Sequence, residues 1–245
     1  MSKQSRDSST SERAAAVRRA HEASERRRNL YVVGAVVLAI LVIVGIGLFV
    51  QSQRDTTGES ASDPRGVNDE YGVVVGDDSA PKTITIYEDF QCPVCRAFEL
   101  ASTEQVRAGV EAGKVKVEYR LVSFLDNASK NQYSSRATNA AMVVLDASGT
   151  DVFWKFHDLL FSNQPEEGTA GPGNDQLIAL AVEAGADPNE VTDPIENGQF
   201  DQWVLNATDQ MSKNGVTGTP TVLIDGERAG ATPADSLAAV LDAVK

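Results

Sequence analysis

The apolar positions of the chain are concentrated in one long run near the N-terminus, residues 30–50. This run, LYVVGAVVLAILVIVGIGLFV, contains no charged residue over 21 positions. A helix of that length reaches about 30 Å, the thickness of a bilayer core. A buried core helix would show a polar stripe, and a cleaved signal peptide would have a shorter apolar region of about 7 to 15 residues. The run therefore predicts an uncleaved transmembrane signal anchor over residues 29–50.

The two flanks of this run differ in charge. Residues 1–28 hold eight lysine and arginine residues, whereas the nearest basic residues beyond the run are Arg54 and Arg65. Because positive charge stays in the cytoplasm, this basic tail is predicted to be cytoplasmic and the rest of the chain extracytoplasmic. Residues 51–70 are polar without an apolar period, which predicts a flexible linker to a folded domain over residues 71–245.

Strand and helix patterns alternate at the start of this domain. The β-branched segment KTITIYEDF, residues 82–90, predicts a strand. A helix is expected from Pro93 to Gly113, because proline favours the first turn and glycine the end. The segment KVKVEYRLV, residues 114–122, alternates apolar and charged positions and predicts a second strand.

A long helical region separates this unit from the last strands. Apolar spacing predicts a helical insert over about residues 127–213, with helices at Asn131–Ala147, Asp151–Ser162, Asp175–Ala184 and Asp193–Lys213. The segment TPTVLIDGERAG then predicts a strand, an Asp225-Gly226 turn and a returning strand. A final helix is expected from Thr232-Pro233 to Lys245. The predicted fold class is therefore α/β.

Charge excludes one class of partner. The chain carries 22 basic and 35 acidic residues. The basic tail holds eight of the former and four of the latter, so the part beyond it is strongly acidic. An acidic domain repels phosphate backbones, and nucleic acid is not an expected partner.

The chain has two cysteines, Cys92 and Cys95, at the predicted start of the first helix. Backbone N–H groups of the first turn and the helix dipole favour a thiolate at Cys92. Cys95 is expected to lie deeper and to resolve a mixed disulfide formed at Cys92.

Zinc needs about four ligands, and the exported part offers only these cysteines and His157. A disulfide across two residues closes too small a loop to be a structural staple. Buried reduced thiols are the remaining alternative, although the exported side is oxidising.

A second motif, TGTPT at residues 217–221, precedes the late strand. CPVC after a strand, a helical insert and TPT before a strand resemble the thioredoxin superfamily. The segments EDFQCPVCRAFE, FWKFHDLLFSNQPEEG and VTGTPTVLIDG are similar more closely to DsbA-like thiol:disulfide oxidoreductases. The resemblance covers residues 71–245. It implies that Pro220 is cis and packs against the cysteine pair, and that the backbone of Thr219 binds a substrate strand.

The chain departs from this family pattern at two positions. Ile86 stands six residues before Cys92, where many relatives carry a buried acid for proton transfer; Glu88 or Asp89 could substitute, or either could be a solvated acid at a strand end. Val94 replaces the histidine of strongly oxidising relatives and, with Pro93, is expected to support the active site. Because valine adds no charge, the pKa of Cys92 should be lowered less than in those relatives.

Three large side chains of the insert are expected to be structural. His157 has apolar residues three and four positions away on both sides, which predicts a packed, hydrogen-bonded histidine. Phe200 and Trp203 share a helix face and are expected to belong to the core of the insert.

The sequence therefore predicts a single-pass, membrane-anchored, extracytoplasmic thiol:disulfide oxidoreductase without cofactor or bound metal. Its expected task is to donate disulfides to exported proteins with cysteines. The resemblance implies reoxidation by a quinone-linked membrane oxidase of DsbB or vitamin K epoxide reductase type. Two alternatives stay open: a reductase or isomerase fed by a membrane electron donor, and a non-catalytic thioredoxin-fold binding protein or chaperone.

Overall fold

A computed structural model describes residues 62–245 of the 245-residue chain. The predicted basic tail, the predicted anchor and residues 51–61 of the predicted linker lie outside these residues. Within residues 62–245, none of the helices is both long and apolar enough to cross a membrane.

A five-stranded mixed sheet forms the centre of the fold. The strands are β1 (Val73–Val75), β2 (Thr83–Glu88), β3 (Lys116–Leu121), β4 (Thr221–Ile224) and β5 (Glu227–Arg228), in the spatial order β1-β3-β2-β4-β5. Strand β2 pairs parallel with β3 and antiparallel with β4, and it is therefore the central strand. The predicted late hairpin is confirmed, because β4 and β5 pair around Asp225 and Gly226.

Both faces of the sheet are covered, and the alternation seen in the sequence assigns residues to each face. Ile86 of β2 and Tyr119 of β3 are paired in register and buried on one face. The opposite face carries Tyr87, which packs in a smaller cluster with Met211 and Val216. Arg120 also lies on this opposite face and donates to the Tyr87 hydroxyl at 3.0 Å.

Seven α-helices complete the part of the chain from residue 62 onward. They are α1 (Pro93–Glu111), α2 (Tyr133–Ser148), α3 (Thr150–Ser162), α4 (Asn174–Ala184), α5 (Pro188–Glu196), α6 (Asp201–Lys213) and α7 (Pro233–Ala243). Helices α1 and α7 pack together beside the sheet, and α2 to α6 lie between β3 and β4 in the sequence. A short 3-10 helix, Asp126–Ala128, precedes α2.

The single helix predicted at Asp193–Lys213 is wrong, because the structure divides this segment into α5 and α6. Gly198 lies between them with φ +64, a conformation that glycine adopts without strain. The backbone N–H of Phe200 leaves the helical pattern and donates to the Asn139 side chain at 2.8 Å. The predicted core role is nevertheless confirmed, because Phe200 and Trp203 are both buried.

The folded unit includes contacts that begin before Tyr71. Arg65 forms an ion pair with Asp146 at 3.1 Å, and Val67 forms a β-bridge with Val73. Residues 65–67 of the predicted linker therefore contact the domain, and their bridge continues into β1, an edge strand that the sequence reasoning did not predict.

Candidate active site

The two cysteines lie where the central strand passes into the first helix. Strand β2 ends at Glu88, a tight turn follows in which the Cys92 N–H donates to the Asp89 carbonyl at 2.9 Å, and α1 begins at Pro93. Cys92 is the N-cap residue of α1, and both cysteines are free thiols. Cys92 is 5% exposed and Cys95 is 0% exposed. Cys95 is thus the deeper of the two, as predicted.

The surroundings of Cys92 favour its thiolate. Its pKa is lowered to about 6, first by a hydrogen bond from Cys95 and further by the Thr219 side chain and the N–H groups of Val94 and Cys95. Burial acts in the opposite direction. The pKa of Cys92 is lowered, as predicted, and the N–H groups of the first helical turn contribute as expected. The largest contribution comes from the Cys95 thiol, which the sequence reasoning had not considered.

Cys95 has the opposite character. Burial raises its pKa well above the ordinary value, and the charges of Cys92 and Glu88 raise it further. The two sulfurs therefore differ chemically: Cys92 can leave a disulfide as a stable anion, whereas Cys95 needs a proton when it leaves.

The second predicted motif lies beside the first. The Thr219-Pro220 peptide bond is cis, and the Cys92 sulfur lies 3.4 Å from the Thr219 carbonyl oxygen. The register of the sheet brings them together, because Thr221 at the start of β4 pairs with Tyr87 near the end of β2. Thr219 and Pro220 are half-buried, whereas Pro93 and Val94 are exposed at the helix tip. The structure therefore gathers all six predicted site residues at one end of the sheet.

Asp89 organises the loops around the site. One of its carboxylate oxygens accepts from the Gln91 N–H at 2.7 Å and from the Ser134 hydroxyl at 2.6 Å, and the other accepts from the Leu125 N–H at 2.8 Å. Burial raises the pKa of Asp89 to about 6. Glu88 and Asp89 are both fully buried, so the interpretation of either as a solvated acid at a strand end is wrong.

Side chains of the helical insert also hydrogen-bond to the loop between β2 and α1, residues 89–92, which we call the cysteine loop. The Gln164 side chain donates to the carbonyl oxygens of Phe90 and Cys92, both at 2.9 Å. Arg96 of α1 donates to the Phe161 carbonyl of α3 at 3.0 Å. Sequence reasoning missed the roles of Gln164 and Ser134, because a polar side chain carries no local signal of the group on another element that it will meet.

A buried ionisable cluster lies below the cysteines, made of Glu88, Glu99 and His157. The His157 Nε2 lies 2.5 Å from a Glu88 carboxylate oxygen, and the ring is surrounded by aromatic side chains, among them Phe90 and Phe161. This confirms the predicted packed, hydrogen-bonded histidine. Burial disfavours the charged ring, but the Glu88 charge prevails and raises the pKa of His157 to about 10.

These three side chains also have the composition of a metal site. Their ligand atoms lie within 4.8 Å of one another. Two ligands of one zinc ion, each bound at about 2.1 Å in tetrahedral geometry, lie roughly 3.4 Å apart. The 2.5 Å separation of His157 and Glu88 is shorter and is that of a hydrogen-bonded ion pair.

Known proteins with similar sequences and structures place this chain in a family. The thioredoxin family profile matches residues 68–243. The reduced crystal structure of DsbA from Mycobacterium tuberculosis superposes with a TM-score of 0.60 at 34% sequence identity, and the match covers 71% of this chain and 92% of that protein.

Two sequence relatives add to the comparison. Disulfide bond formation protein D of Bacillus subtilis is 26% identical over 155 residues, which cover 62% of this chain and 67% of the relative. The serine/threonine-protein kinase PknE of Mycobacterium tuberculosis is 31% identical over 165 residues, which cover 64% of this chain. The match spans only 29% of the length of that kinase.

Proposed function

Because the chain belongs to the DsbA-like thiol–disulfide oxidoreductases of the thioredoxin superfamily, we propose that it donates disulfides to exported proteins from the Cys92–Cys95 pair. The observation that carries this proposal is the asymmetry of the two sulfurs. The pKa of Cys92 is lowered to about 6, whereas that of Cys95 is raised. Stabilising the reduced, ionised form of Cys92 makes the disulfide a stronger oxidant.

The exchange consists of two displacements. A substrate thiolate attacks the Cys92 sulfur of the oxidised pair, the bond between the two cysteines breaks, and Cys95 leaves and takes up one proton. A second substrate thiolate then attacks the substrate sulfur of the mixed disulfide, and Cys92 leaves as a thiolate. The substrate loses two electrons and the cysteine pair gains them.

The substrate chain is expected to bind beside the cis bond. Thr219 and Pro220 are half-buried and adjoin Cys92, and Val94 is 42% exposed at the helix tip. An extended peptide could add to the open backbone edge at Thr219, with its cysteine facing the Cys92 sulfur. We assign substrate binding to Thr219 and Pro220, support of the helix tip to Pro93 and Val94, and sulfur chemistry to Cys92 and Cys95.

We further propose that the domain is held at the outer face of the cell membrane by an anchor over residues 29–50. The uncharged run of 21 residues and the basic residues before it support this topology. Reoxidation then falls to a quinone-linked membrane oxidase, because the two cysteines of the chain leave no third thiol for an internal relay.

Disulfide capture in cells tests this proposal. A Cys95→Ala variant of the full chain should accumulate mixed disulfides through Cys92, and mass spectrometry should identify exported proteins in them. The matched Cys92→Ala variant should trap none. If both variants trap nothing and Cys92→Ser leaves the cellular role unchanged, the chain is a non-catalytic binding protein. Partners restricted to a membrane electron donor would instead indicate a reductase.

A further inference from the structure

An open pocket lies on the sheet face that carries Tyr87 and Arg120, and the exchange proposed above does not use it. Its volume is about 600 Å³, within the range of about 300–1,000 Å³ that is usual for ligand sites. The strand register sets two rows of side chains across this face. One row consists of Glu118, Thr85, Leu223 and Arg228, and the next of Arg120, Tyr87 and Thr221, all of which line the pocket.

The carboxylate on the floor of this pocket is already satisfied. Glu118 and Arg120 are 7% and 8% exposed, so both charged groups lie at the bottom. One carboxylate oxygen of Glu118 accepts from Asn68 at 2.7 Å and from Arg120 at 3.0 Å, and the other accepts from Thr85 at 2.8 Å. Neither oxygen of Glu118 therefore needs a donor from a ligand.

The groups without a partner are hydrogen-bond donors. The Tyr87 hydroxyl accepts from Arg120 and from Asn214, both at 3.0 Å, so its own proton is left to donate. The Nε of Arg120 is buried and has no partner among residues 62–245. Arg228 is exposed at the rim, and its guanidinium forms no hydrogen bond or ion pair within the same residues. A surplus of donors, two of them cationic, fits a carboxylate.

The local charge of the pocket permits an anion. Two acids, Glu70 and Glu118, balance two arginines, Arg120 and Arg228, so the pocket is neutral although the domain is acidic. Charges farther away than a Debye length of about 8 Å are largely screened at physiological salt. The side chain of Glu70 is 68% exposed and pairs with Arg120, which shows that this guanidinium binds a carboxylate from the solvent side.

The pocket begins beside the substrate edge assigned above. Thr221 on its floor directly follows Pro220. Arg228 pairs with Leu223, three residues along the chain from Pro220 and one strand away. With about 3.3 Å per residue and about 4.8 Å between strands, the backbone of Arg228 is roughly 11 Å from that of Pro220. An extended substrate chain covers this distance in about three to four residues.

We propose that this pocket selects substrates by binding the carboxylate of an aspartate or glutamate about four residues from the substrate cysteine. Arg228 at the rim and the Tyr87 hydroxyl on the floor donate to the carboxylate, and Arg120 supplies positive charge beneath it. Binding here holds the substrate chain on the Thr219 edge while its thiolate meets Cys92. This selection rests on the proposed function, to which it adds a class of preferred substrate.

Oxidation of matched dithiol peptides by the oxidised full chain tests the selection. The two peptide thiols form a disulfide, and the Cys92–Cys95 disulfide is reduced to two thiols. An aspartate stands four positions before or four positions after the peptide cysteines, and each peptide has a twin with asparagine. The wild type should oxidise at least one aspartate peptide about three to ten times faster than its twin at low salt, as expected for a charge-assisted contact near the surface. In Arg228→Gln this preference should fall below about twofold.

Lys155→Gln is the matched control, because Lys155 is an exposed cation on α3 that does not line this pocket. It should keep the wild-type preference. Equal rates within both peptide pairs in the wild type, or an undiminished preference in Arg228→Gln, would overturn the proposal. An equal loss in Lys155→Gln would mean that general charge attraction causes the preference, and would also overturn it.

A nuclear magnetic resonance titration of the reduced full chain separates the pocket from the exchange chemistry. The side-chain Nε–H signal of Arg228, identified by its loss in Arg228→Gln, should shift with an aspartate peptide whose cysteines are replaced by serine. It should not shift with the asparagine twin, and a signal that shifts with neither peptide would overturn the pocket.

Succinate distinguishes a free dicarboxylate from a substrate side chain in the same titration. If succinate shifts the Arg228 signal at the same concentration as the peptide, the pocket is a site for free dicarboxylates and substrate selection is overturned. A wild type that oxidises none of the peptides would contradict the proposed function instead, and the titration would still decide the pocket.

Discussion

The Cys92 sulfur lies 3.4 Å from the Thr219 carbonyl oxygen, next to the cis peptide bond that leads into β4. These residues are 127 positions apart in the sequence. The central position of β2 explains the proximity, because Cys92 follows the end of β2 after one tight turn and β2 pairs with the strand that follows Thr219. One sulfur thereby faces both a helix N-terminus and an open backbone edge.

Thr219→Val should raise the pKa of Cys92 above about 6. The Thr219 side chain hydrogen-bonds to the Cys92 sulfur and favours its thiolate, and valine has a similar shape without the hydroxyl. The pH dependence of thiolate absorbance measures the shift. Thr217→Val, in the same motif but exposed, is the control and should leave the pKa where it is. A pKa that does not rise in Thr219→Val would contradict the assignment.

Cys95→Ala should raise the pKa of Cys92 more than Thr219→Val does. The hydrogen bond from Cys95 is the largest contribution to the lowered pKa. The rate of iodoacetamide reaction as a function of pH reports the pKa of the remaining sulfur. A pKa that stays near 6 would mean that the helix N-terminus and Thr219 stabilise the thiolate without Cys95.

The reduced wild-type protein should gain more stability than Cys92→Ser as pH rises from about 6 to about 8; His157, whose pKa is raised to about 10, opposes the gain to the same extent in both proteins. In this window the unfolded chain still holds the Cys92 proton, since a free cysteine has a pKa of about 8.5, whereas the folded chain has lost it. The Cys92 site therefore takes up a proton on unfolding, and its contribution to the free energy of unfolding rises with pH. Urea denaturation of the reduced protein at several pH values measures this gain. Cys92→Ser should show a smaller gain, and equal gains in both proteins would exclude Cys92 as the source.

Gln164→Leu should loosen the cysteine loop. It removes two hydrogen bonds to the Phe90 and Cys92 carbonyls, and we expect a loss of about 1–3 kcal/mol in the free energy of unfolding. Asn163→Leu is the neighbouring control, because its side chain is exposed and bonds only within its own helix end. Urea unfolding should show a larger loss in the free energy of unfolding for Gln164→Leu than for Asn163→Leu. Equal losses in the two variants would show that Gln164 does not hold the loop.

Gly198→Ala should destabilise the break between α5 and α6. The glycine has φ +64, and a Cβ atom would lie 2.1 Å from an Asp201 carboxylate oxygen. The expected loss is about 1–2 kcal/mol in thermal or urea unfolding. Gly173→Ala is the control, because Gly173 has an ordinary φ and open space around it. Comparable stability in the two variants would mean that the break is not strained by a side chain.

Local patterns predicted most of the secondary structure. The β-branched run of β2 and the period-two alternation of β3 describe strands buried in a sheet, and each observed strand lies inside its predicted range. The proline at the start of α1 correctly marked the helix that carries Cys95. The break at Gly198 was missed because the apolar spacing on either side of it continues one helical face.

The cysteine pair could be found from the sequence, but its surroundings could not. The spacing of Cys92 and Cys95 and the position of α1 predict one anionic sulfur and one deeper sulfur. The cluster of Glu88, Glu99 and His157 depends on the packing of three elements, β2, α1 and α3, against one another. Nothing in the local sequence of any one element shows the charge that another element will bring to it.

Equilibration of the Cys92–Cys95 pair with glutathione distinguishes a disulfide donor from a reductant. The protein is equilibrated in buffers with increasing ratios of reduced to oxidised glutathione, quenched with acid and alkylated. The mass of the alkylated protein at each ratio gives the reduction potential of the pair. We expect a value between about −120 and −180 mV, the range of proteins that donate disulfides. A value near about −270 mV, that of a thioredoxin-type reductant, would contradict it.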